Sequence, residues 1–182
     1  LAGAATSIAL SSLVIAVVLP RNDIAGGIRS WQIGGVGGAT MDRILPVLPF
    51  ILIGLAISLL SARKLNSLAL GDELAAGLGE NVALTRFIAA IGAILLCGAT
   101  TAACGPIGFV GLVLPHAARF LIGSRHNRLI PVTALMGAVF MVWVDAVSRV
   151  AFAPTPLPVG VGTALVGVPA FIAILARRKK SA

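Results

Sequence analysis

Residues 87–118 read FIAAIGAILLCGATTAACGPIGFVGLVLPHAA, and none of these 32 positions is Asp, Glu, Lys or Arg. A single helix of that length would be about 48 Å long, whereas the hydrocarbon core of a bilayer is about 30 Å thick. Gly105-Pro106 interrupts the run, because the residue before a proline avoids the helical region of φ/ψ space. The run therefore predicts two membrane spans, over about 86–103 and 106–123, joined by a tight turn.

The composition of the whole chain also indicates a lipid environment. Of the 182 residues, 58% are hydrophobic and 11% are charged, and the mean hydropathy is +1.05. Soluble domains carry about 25% charged residues. A soluble fold of this size leaves much of its surface in water and could not bury so many apolar side chains. The chain is therefore predicted to be an integral membrane protein.

Four further apolar runs are long enough to cross a bilayer, which takes roughly 20 residues in a helix. They are Leu1–Pro20, Ile44–Ala62, Leu129–Val150 and Val159–Ala176. With the two spans above, they predict an all-α, polytopic transmembrane helical bundle of about six spans, and residues 1–182 are expected to form one transmembrane domain. Because the chain starts inside an apolar run with no charged segment before it, we expect it to be the C-terminal part of a longer protein.

The net charge of +8 is distributed unevenly along the chain. Ten of the 14 Lys and Arg residues fall on one predicted face of the bundle and four on the other, which is the positive-inside pattern. The C-terminus and segments 63–86 and 123–128 are therefore predicted to be cytoplasmic, and segments 21–43 and 154–158 to face outward. Because the charge is grouped at the ends of apolar runs, nucleic-acid binding is not predicted. The ten are Arg63, Lys64, Arg86, Arg119, Arg125, Arg128, Arg177, Arg178, Lys179 and Lys180, and the four are Arg21, Arg29, Arg43 and Arg149.

Residues 65–80 lie between two predicted spans and include the sequence LALGDELAAGLG at positions 68–79. Gly71 can begin a helix and Gly79 can end it, and two acids follow Gly71 where the helix dipole favours them. Three leucines at four-residue spacing share one face. Such a surface helix could dock into a groove of a partner protein or pack on its own spans, and the residues alone leave both interpretations open. The candidate docking residues are Leu70, Gly71, Asp72, Glu73, Leu74, Leu78 and Gly79.

Ionisable side chains occur inside two of the predicted spans. Asp145 and Arg149 are four residues apart and share a helix face, so we expect them to pair. Charged residues inside a span are functional candidates, but a neutral pair that fixes helix packing is the interpretation we favour. His116 follows Pro115 and could relay protons, although a kinked helix with a hydrogen-bonded histidine is the simpler hypothesis.

Motifs of enzymatic chemistry do not occur in this sequence. It contains no G-x-x-x-x-G-K-[ST], no H-E-x-x-H and no G-x-S-x-G, so any ATP hydrolysis would come from a partner. Cys97 and Cys104 are seven residues apart in an apolar run, which is not a metal-ligand spacing, and we expect two small buried hydrophobic residues. No enzymatic activity, cofactor or metal site is predicted.

Five stretches of the chain, taken in order, resemble the bacterial ABC importer permeases for ferric siderophores and cobalamin. The stretch at 66–79 resembles the cytoplasmic coupling loop of that family, and the one at 105–123 is similar to its most specific signature. Within that signature the matching residues are Gly105, Pro106, Pro115, His116 and Arg119. The five stretches are SWQIGG at 30–35, NSLALGDELAAGLG at 66–79, GPIGFVGLVLPHAARFLIG at 105–123, the Asp145-x-x-x-Arg149 pair, and LPVGVGTALVGVPAF at 157–171.

The resemblance implies a fold and a set of partners. A full permease of the family has about ten spans, of which this chain would hold the last six. Two permease subunits, identical or different, would form a pathway through the bacterial plasma membrane. A cytoplasmic ATPase would drive it, and a periplasmic or lipid-anchored binding protein would deliver the substrate. The stretches look most like those of ferric enterobactin-type permeases, with cobalamin and haem as the other substrates to consider.

Two other classes of protein remain as alternatives. A proton-coupled secondary carrier could use Asp145 and His116, and an intramembrane enzyme could use the same two residues. The surface helix at 71–79 separates these hypotheses from an ATP-driven permease, because neither a carrier nor an enzyme requires a docking helix for an ATPase.

Overall fold

The computed structural model describes residues 2–18, 20, 27–28, 31–36, 40–151 and 159–179, with the side chains of residues 2, 4 and 170–179 left aside. The described part of the chain is helical and contains no strand, which confirms the predicted all-α bundle. Its helices are α1 (Ala2–Val18), α2 (Met41–Ile44), α3 (Leu48–Leu68), α4 (Asp72–Gly77), α5 (Val82–Cys104), α6 (Val110–Ile122), α7 (His126–Ala151) and α8 (Val159–Lys179).

Three of these helices, α3, α5 and α7, are long and apolar enough to cross a membrane. Three further helices in the described part of the chain are apolar but shorter over their described residues, namely Ala5–Val18, Val110–Ile122 and Val159–Pro169. Together they correspond to the six predicted spans. Many large apolar side chains on these helices are exposed in the isolated chain, as expected for surfaces that contact lipid or neighbouring subunits.

The predicted ends of several spans are wrong by a few residues. The span predicted at 44–62 is the helix Leu48–Leu68, so Arg63 and Lys64 lie inside a helix that extends beyond its apolar run. Both residues form helices well, and a charged side chain can reach the interface from the end of a span. The span predicted at 129–150 likewise begins earlier, at His126.

The turn between α5 and α6 is longer than predicted. The sequence suggested that the second span of the 87–118 run begins at residue 106, but α6 begins at Val110. Gly105 has φ +76° and Phe109 has φ +66°, so neither continues a right-handed helix. Residues 105–109 therefore form a non-helical segment between the two helices.

The most extensive helix packing in the described part of the chain is between α3 and α5, and it depends on two glycines. A β-carbon at Gly54 would lie 3.0 Å from Leu96, and one at Gly92 would lie 2.9 Å from the Ser58 hydroxyl. Small residues at such positions let two membrane helices approach closely. Around this pair, α7 packs against α3, α6 and α8, and α4 packs across the ends of α3 and α5.

Candidate functional site: the coupling segment and the glycine junction

The segment that connects α3 to α5 contains the short helix α4, and we call residues 65–80 the coupling segment. Gly71 precedes α4 with φ +110°, and Gly79 follows it with φ +84°, both in the region that favours glycine. The Gly79 N–H donates to the Ala76 carbonyl at 2.9 Å and the Glu80 N–H to the Ala75 carbonyl at 3.1 Å. This is the Schellman pattern of a helix C-terminus, so the two glycines delimit α4 as their positions in the sequence indicated.

The three leucines of the coupling segment point away from the bundle. Leu70, Leu74 and Leu78 are 62%, 63% and 65% exposed, whereas Ala75 is completely buried. The helix therefore packs on its own spans through a methyl group and leaves the leucines uncovered. Leu70 precedes Gly71, whose φ of +110° is not helical, so the helix face predicted for all three leucines holds only for Leu74 and Leu78. We call the three exposed leucine side chains the leucine face. The spans that the structure describes therefore do not cover the leucine face.

Two ion pairs hold the coupling segment against the neighbouring helices. Arg86 Nη2, near the start of α5, lies 2.7 Å from Asp72 Oδ1 and 3.0 Å from Asp72 Oδ2. Lys64 Nζ, near the end of α3, lies 3.8 Å from Glu80 Oε2. Exposed pairs of this kind stabilise a protein by about 1 kcal/mol or less. Their main consequence is to orient α4, while Glu73 remains exposed beside the leucines.

At the far end of α5, three backbone segments meet in what we call the glycine junction, formed by residues 31–36, 104–106 and 159–160. The Gly35 N–H donates to the Cys104 carbonyl at 2.8 Å, and the Gly160 N–H donates to the Gly34 carbonyl at 3.2 Å. Residues 31–36 thereby join the end of α5 to the start of α8. Because α5 has 23 residues, the junction and the coupling segment are separated by a helix about 34 Å long.

The glycine junction is closed by direct backbone contact. A β-carbon at Gly105 would overlap the Trp31 carbonyl oxygen, and one at Gly34 would lie 2.5 Å from the Pro106 carbonyl oxygen. The Trp31 indole Nε1–H also donates to the Thr101 carbonyl at 3.1 Å. Two of the stretches recognised in the sequence, at 30–35 and 105–123, therefore meet here, and the third, at 157–171, enters through residues 159–160.

The remaining signature residues lie on α6. Pro115 is inside the helix, His116 is half-buried, and Arg119 is exposed in the last turn. Within the described residues the His116 side chain forms no hydrogen bond or ion pair, so the hydrogen-bonded histidine expected from the sequence is not seen there. Among the described residues, no hydrogen bond or ion pair joins His116 to Asp145. The two groups that a carrier mechanism would use are therefore not connected in this structure.

The predicted ion pair on α7 is present. Arg149 Nε donates to Asp145 Oδ2 at 2.8 Å, with the side chains 55% and 26% exposed. Val144 and Ser148, on the same stretch of α7, approach α8 closely, because a β-carbon at Gly162 would lie 2.8 Å from each of them. The pair therefore sits beside the contact between α7 and α8, as expected of a pair that fixes helix packing.

We expect the Asp145–Arg149 pair to be energetically coupled. Asp145→Asn or Arg149→Gln alone should lower the yield of folded protein, because each leaves one charge without its partner. The double variant should lose less folded yield than the two single variants lose together, which corresponds to a coupling energy of about 0.5 kcal/mol or more. The measurement is a double-mutant cycle on the monodisperse yield in detergent. Simple additivity would refute the pairing.

Helices long and apolar enough to cross a membrane, joined by a short exposed helix, are the features of a multi-span membrane protein. The model of the FecCD transport family matches residues 1–177. The chain belongs to this family, which confirms the predicted class of protein.

The chain is similar to permease proteins of bacterial iron import. It is 40% identical over 179 residues to the Fe(3+) dicitrate transport system permease protein FecD of Escherichia coli strain K12, covering 98% of this chain and 56% of FecD. It is 39% identical over 179 residues to the ferric enterobactin transport system permease protein FepD of the same strain, covering 98% of this chain and 53% of FepD. It is 36% identical over 181 residues to the Fe(3+)-citrate import system permease protein YfmD of Bacillus subtilis strain 168, covering 100% of this chain and 54% of YfmD. The chain thus spans about half the length of the curated relatives it matches.

A solved structure has the same fold. It is an inward-facing conformation of a metal-chelate type ABC transporter, with a TM-score of 0.81 and 29% sequence identity. The match covers 93% of this chain and 56% of that one. The arrangement of helices described above is therefore similar to that of an ABC transporter.

Proposed function

We propose that this chain supplies part of the permease subunit of an ATP-driven importer of ferric chelates, ferric siderophores among them. The observation that carries the proposal is the exposed leucine face of the coupling segment, on a chain of the FecCD transport family. A permease has to transmit the work of a separate ATPase, and the sequence contains no P-loop of its own. An apolar helix face held in a fixed orientation at one end of the bundle is suited to that contact.

The coupling segment also indicates the chemistry of the ATPase surface. The three leucines require an apolar groove that accepts a short helix. Glu73 is exposed beside them and forms no ion pair among the described residues, so a basic side chain at the rim of the groove would complement it. Asp72 is already engaged by Arg86 and is expected to orient the helix rather than to contact the partner.

The other partners follow from the family and its relatives. We propose that a second permease subunit, identical or different, completes the pathway across the bacterial plasma membrane, and that an extracytoplasmic binding protein delivers the ferric chelate. The relatives are permeases named for citrate, enterobactin and hydroxamate complexes of iron. These relatives are about equally identical to this chain, so the sequence identities do not favour one chelate over another. The substrate class we propose is therefore ferric chelates as a whole.

Uptake of iron-55 chelates by cells tests the proposed function. The complete permease should support uptake that continues when a protonophore removes the proton gradient while ATP is maintained. Citrate, enterobactin and hydroxamate complexes should be compared in the same cells. Uptake that stops with the protonophore at constant ATP would instead support the proton-coupled carrier.

The proposal includes an orientation in the membrane. By the positive-inside rule, the coupling segment and the C-terminus are cytoplasmic, while Asn22 and Thr155, which lie outside the described residues, face outward. Single cysteines at Ser67 and Thr155 should be tested with an impermeant thiol reagent in intact cells. We expect labelling at Thr155 and none at Ser67, and the reverse would overturn the orientation.

The labelling experiment requires a background without native cysteines. Cys97 is exposed on α5, in contrast to the buried position expected from the sequence, and Cys104 is half-buried; both are free thiols. Replacing both with alanine removes the competing thiols. That background should first be shown to retain iron uptake.

A further inference from the structure

A hydrogen-bonded link joins the coupling segment to α7, and no motif in the sequence pointed to it. Asn66 lies in the last turn of α3, at the start of the coupling segment. Its Oδ1 accepts the backbone N–H of His126 at 2.7 Å and lies 3.0 Å from His126 Nδ1. Its Nδ2 donates to Asn127 Oδ1 at 3.1 Å. One amide side chain therefore connects two segments that are 60 residues apart in the sequence.

The link acts as a helix cap supplied by a different helix. The first N–H groups of a helix have no partner within it, and a side chain just before the helix usually accepts one of them. At α7 the residue before His126 is Arg125, whose side chain has no acceptor. Asn66 takes that role from α3, so the start of α7 is fastened to the end of the helix that carries the coupling segment.

From this capped end, α7 extends to the neighbourhood of the glycine junction. It has 26 residues, or about 39 Å, and its distal part packs closely on α8 at Gly162. Two residues earlier, the Gly160 N–H donates to the Gly34 carbonyl within the junction. A continuous set of contacts therefore leads from the coupling segment through Asn66 and α7 to the opposite end of the bundle.

We propose that Asn66 is a positioning residue that fastens the coupling segment to α7, so that a displacement of the segment by the ATPase moves α7 with it. The proposal rests on the proposed function. It predicts that loss of the cap separates ATP hydrolysis from transport, because the ATPase could still displace the coupling segment while α7 no longer follows.

The test uses the complete transporter in proteoliposomes, with its ATPase, its binding protein and an iron-55 chelate that the wild type imports. The quantity measured is ATP hydrolysed per iron imported. In Asn66→Ala this ratio should rise on the order of tenfold, since losing a helix cap changes an equilibrium constant by about that factor. Asn66→Asp keeps the acceptor for the His126 N–H. It replaces the donor to Asn127 with an acceptor, which the Asn127 side chain can meet by turning its NH₂ group toward it. The ratio should therefore remain within about twofold of wild type.

Ser67→Ala is the matched control, because Ser67 is the next residue on α3 and its side chain forms no hydrogen bond in the part of the chain that the structure describes. Its ratio should equal that of wild type. An unchanged ratio in Asn66→Ala, failure of Asn66→Asp to restore it, or an equal effect of Ser67→Ala would each overturn the role of Asn66. A wild-type transporter that imports iron without ATP would instead refute the proposed function, so the two failures are distinguishable.

A second measurement does not depend on the recovery of any variant. Amide hydrogen exchange at single-residue resolution on the wild-type transporter should show a protected His126 amide both with and without bound nucleotide. Protection in both states is expected because the link has to persist while the coupling segment moves. Exchange at His126 as fast as in an unstructured peptide, in either state, would overturn the proposal.

Discussion

Replacing Leu74 with aspartate is expected to weaken binding of the ATPase by about two orders of magnitude. The leucine is 63% exposed at the centre of the leucine face, so it is available as a buried anchor of the contact. An unpaired carboxylate in that contact costs a few kcal/mol, and each 1.4 kcal/mol changes the dissociation constant tenfold. Iron uptake should fall with the affinity, while membrane insertion should not change because α4 lies outside the predicted spans.

The same short helix provides a matched control for this prediction. Ala76 is exposed as well, but it lies about 200° around α4 from Leu74. Ala76→Asp therefore introduces the same charge on the same helix, away from the leucine face, and should leave binding close to wild type. Binding should be measured by titrating the purified ATPase onto the solubilised permease. If Leu74→Asp bound the ATPase as tightly as Ala76→Asp, the leucine face would not be the docking surface.

Replacing Gly105 with alanine is expected to disrupt the glycine junction and to destabilise the bundle by several kcal/mol. Gly105 combines φ +76° with ψ 179°, a conformation that costs other residues about 1–3 kcal/mol. Its new methyl group would also overlap the Trp31 carbonyl oxygen, and overpacking of this kind typically costs about 1–3 kcal/mol more. The loss should appear as a lower thermal midpoint in detergent and a lower yield of folded permease.

Gly108→Ala is the control for the glycine substitution. Gly108 lies in the same non-helical segment, its φ is not positive, and a β-carbon there would meet no atom within 4 Å. This variant should melt within a few degrees of the wild type. Equal stability of Gly105→Ala and Gly108→Ala would contradict the arrangement of residues 31–36 against the end of α5.

Features that depend on neighbours in the sequence could be predicted well. The apolar runs predicted the six apolar helices among the eight described. Gly105-Pro106 predicted the break in the longest run, because backbone preferences at glycine and proline are local. The two glycines around α4 also led to the observed short helix. The ends of the spans were less accurate, since lysine and arginine at the end of a run can continue a helix into the interface.

Features that depend on residues distant in the sequence could not be predicted from its pattern. Trp31 contacts Thr101, 70 residues away, and Asn66 contacts His126, 60 residues away, and neither partner carries a local signal of the other. The pattern also showed three regularly spaced leucines without showing whether the neighbouring spans of this chain cover them. That question depended on Ala75, which fills the contact with the spans and leaves the leucines exposed.

The most direct test of the leucine face as the ATPase docking surface is photo-crosslinking in intact cells. A photoreactive amino acid at Leu74 of the complete permease should form an adduct of the permease with its ATPase on irradiation. Met41 is the control position, because it is 73% exposed and lies in the segment predicted to face outward. We expect an ATPase adduct from position 74 and none from position 41. If cells that import iron normally gave no adduct at position 74, or an equal adduct at position 41, the leucine face would not be the docking surface.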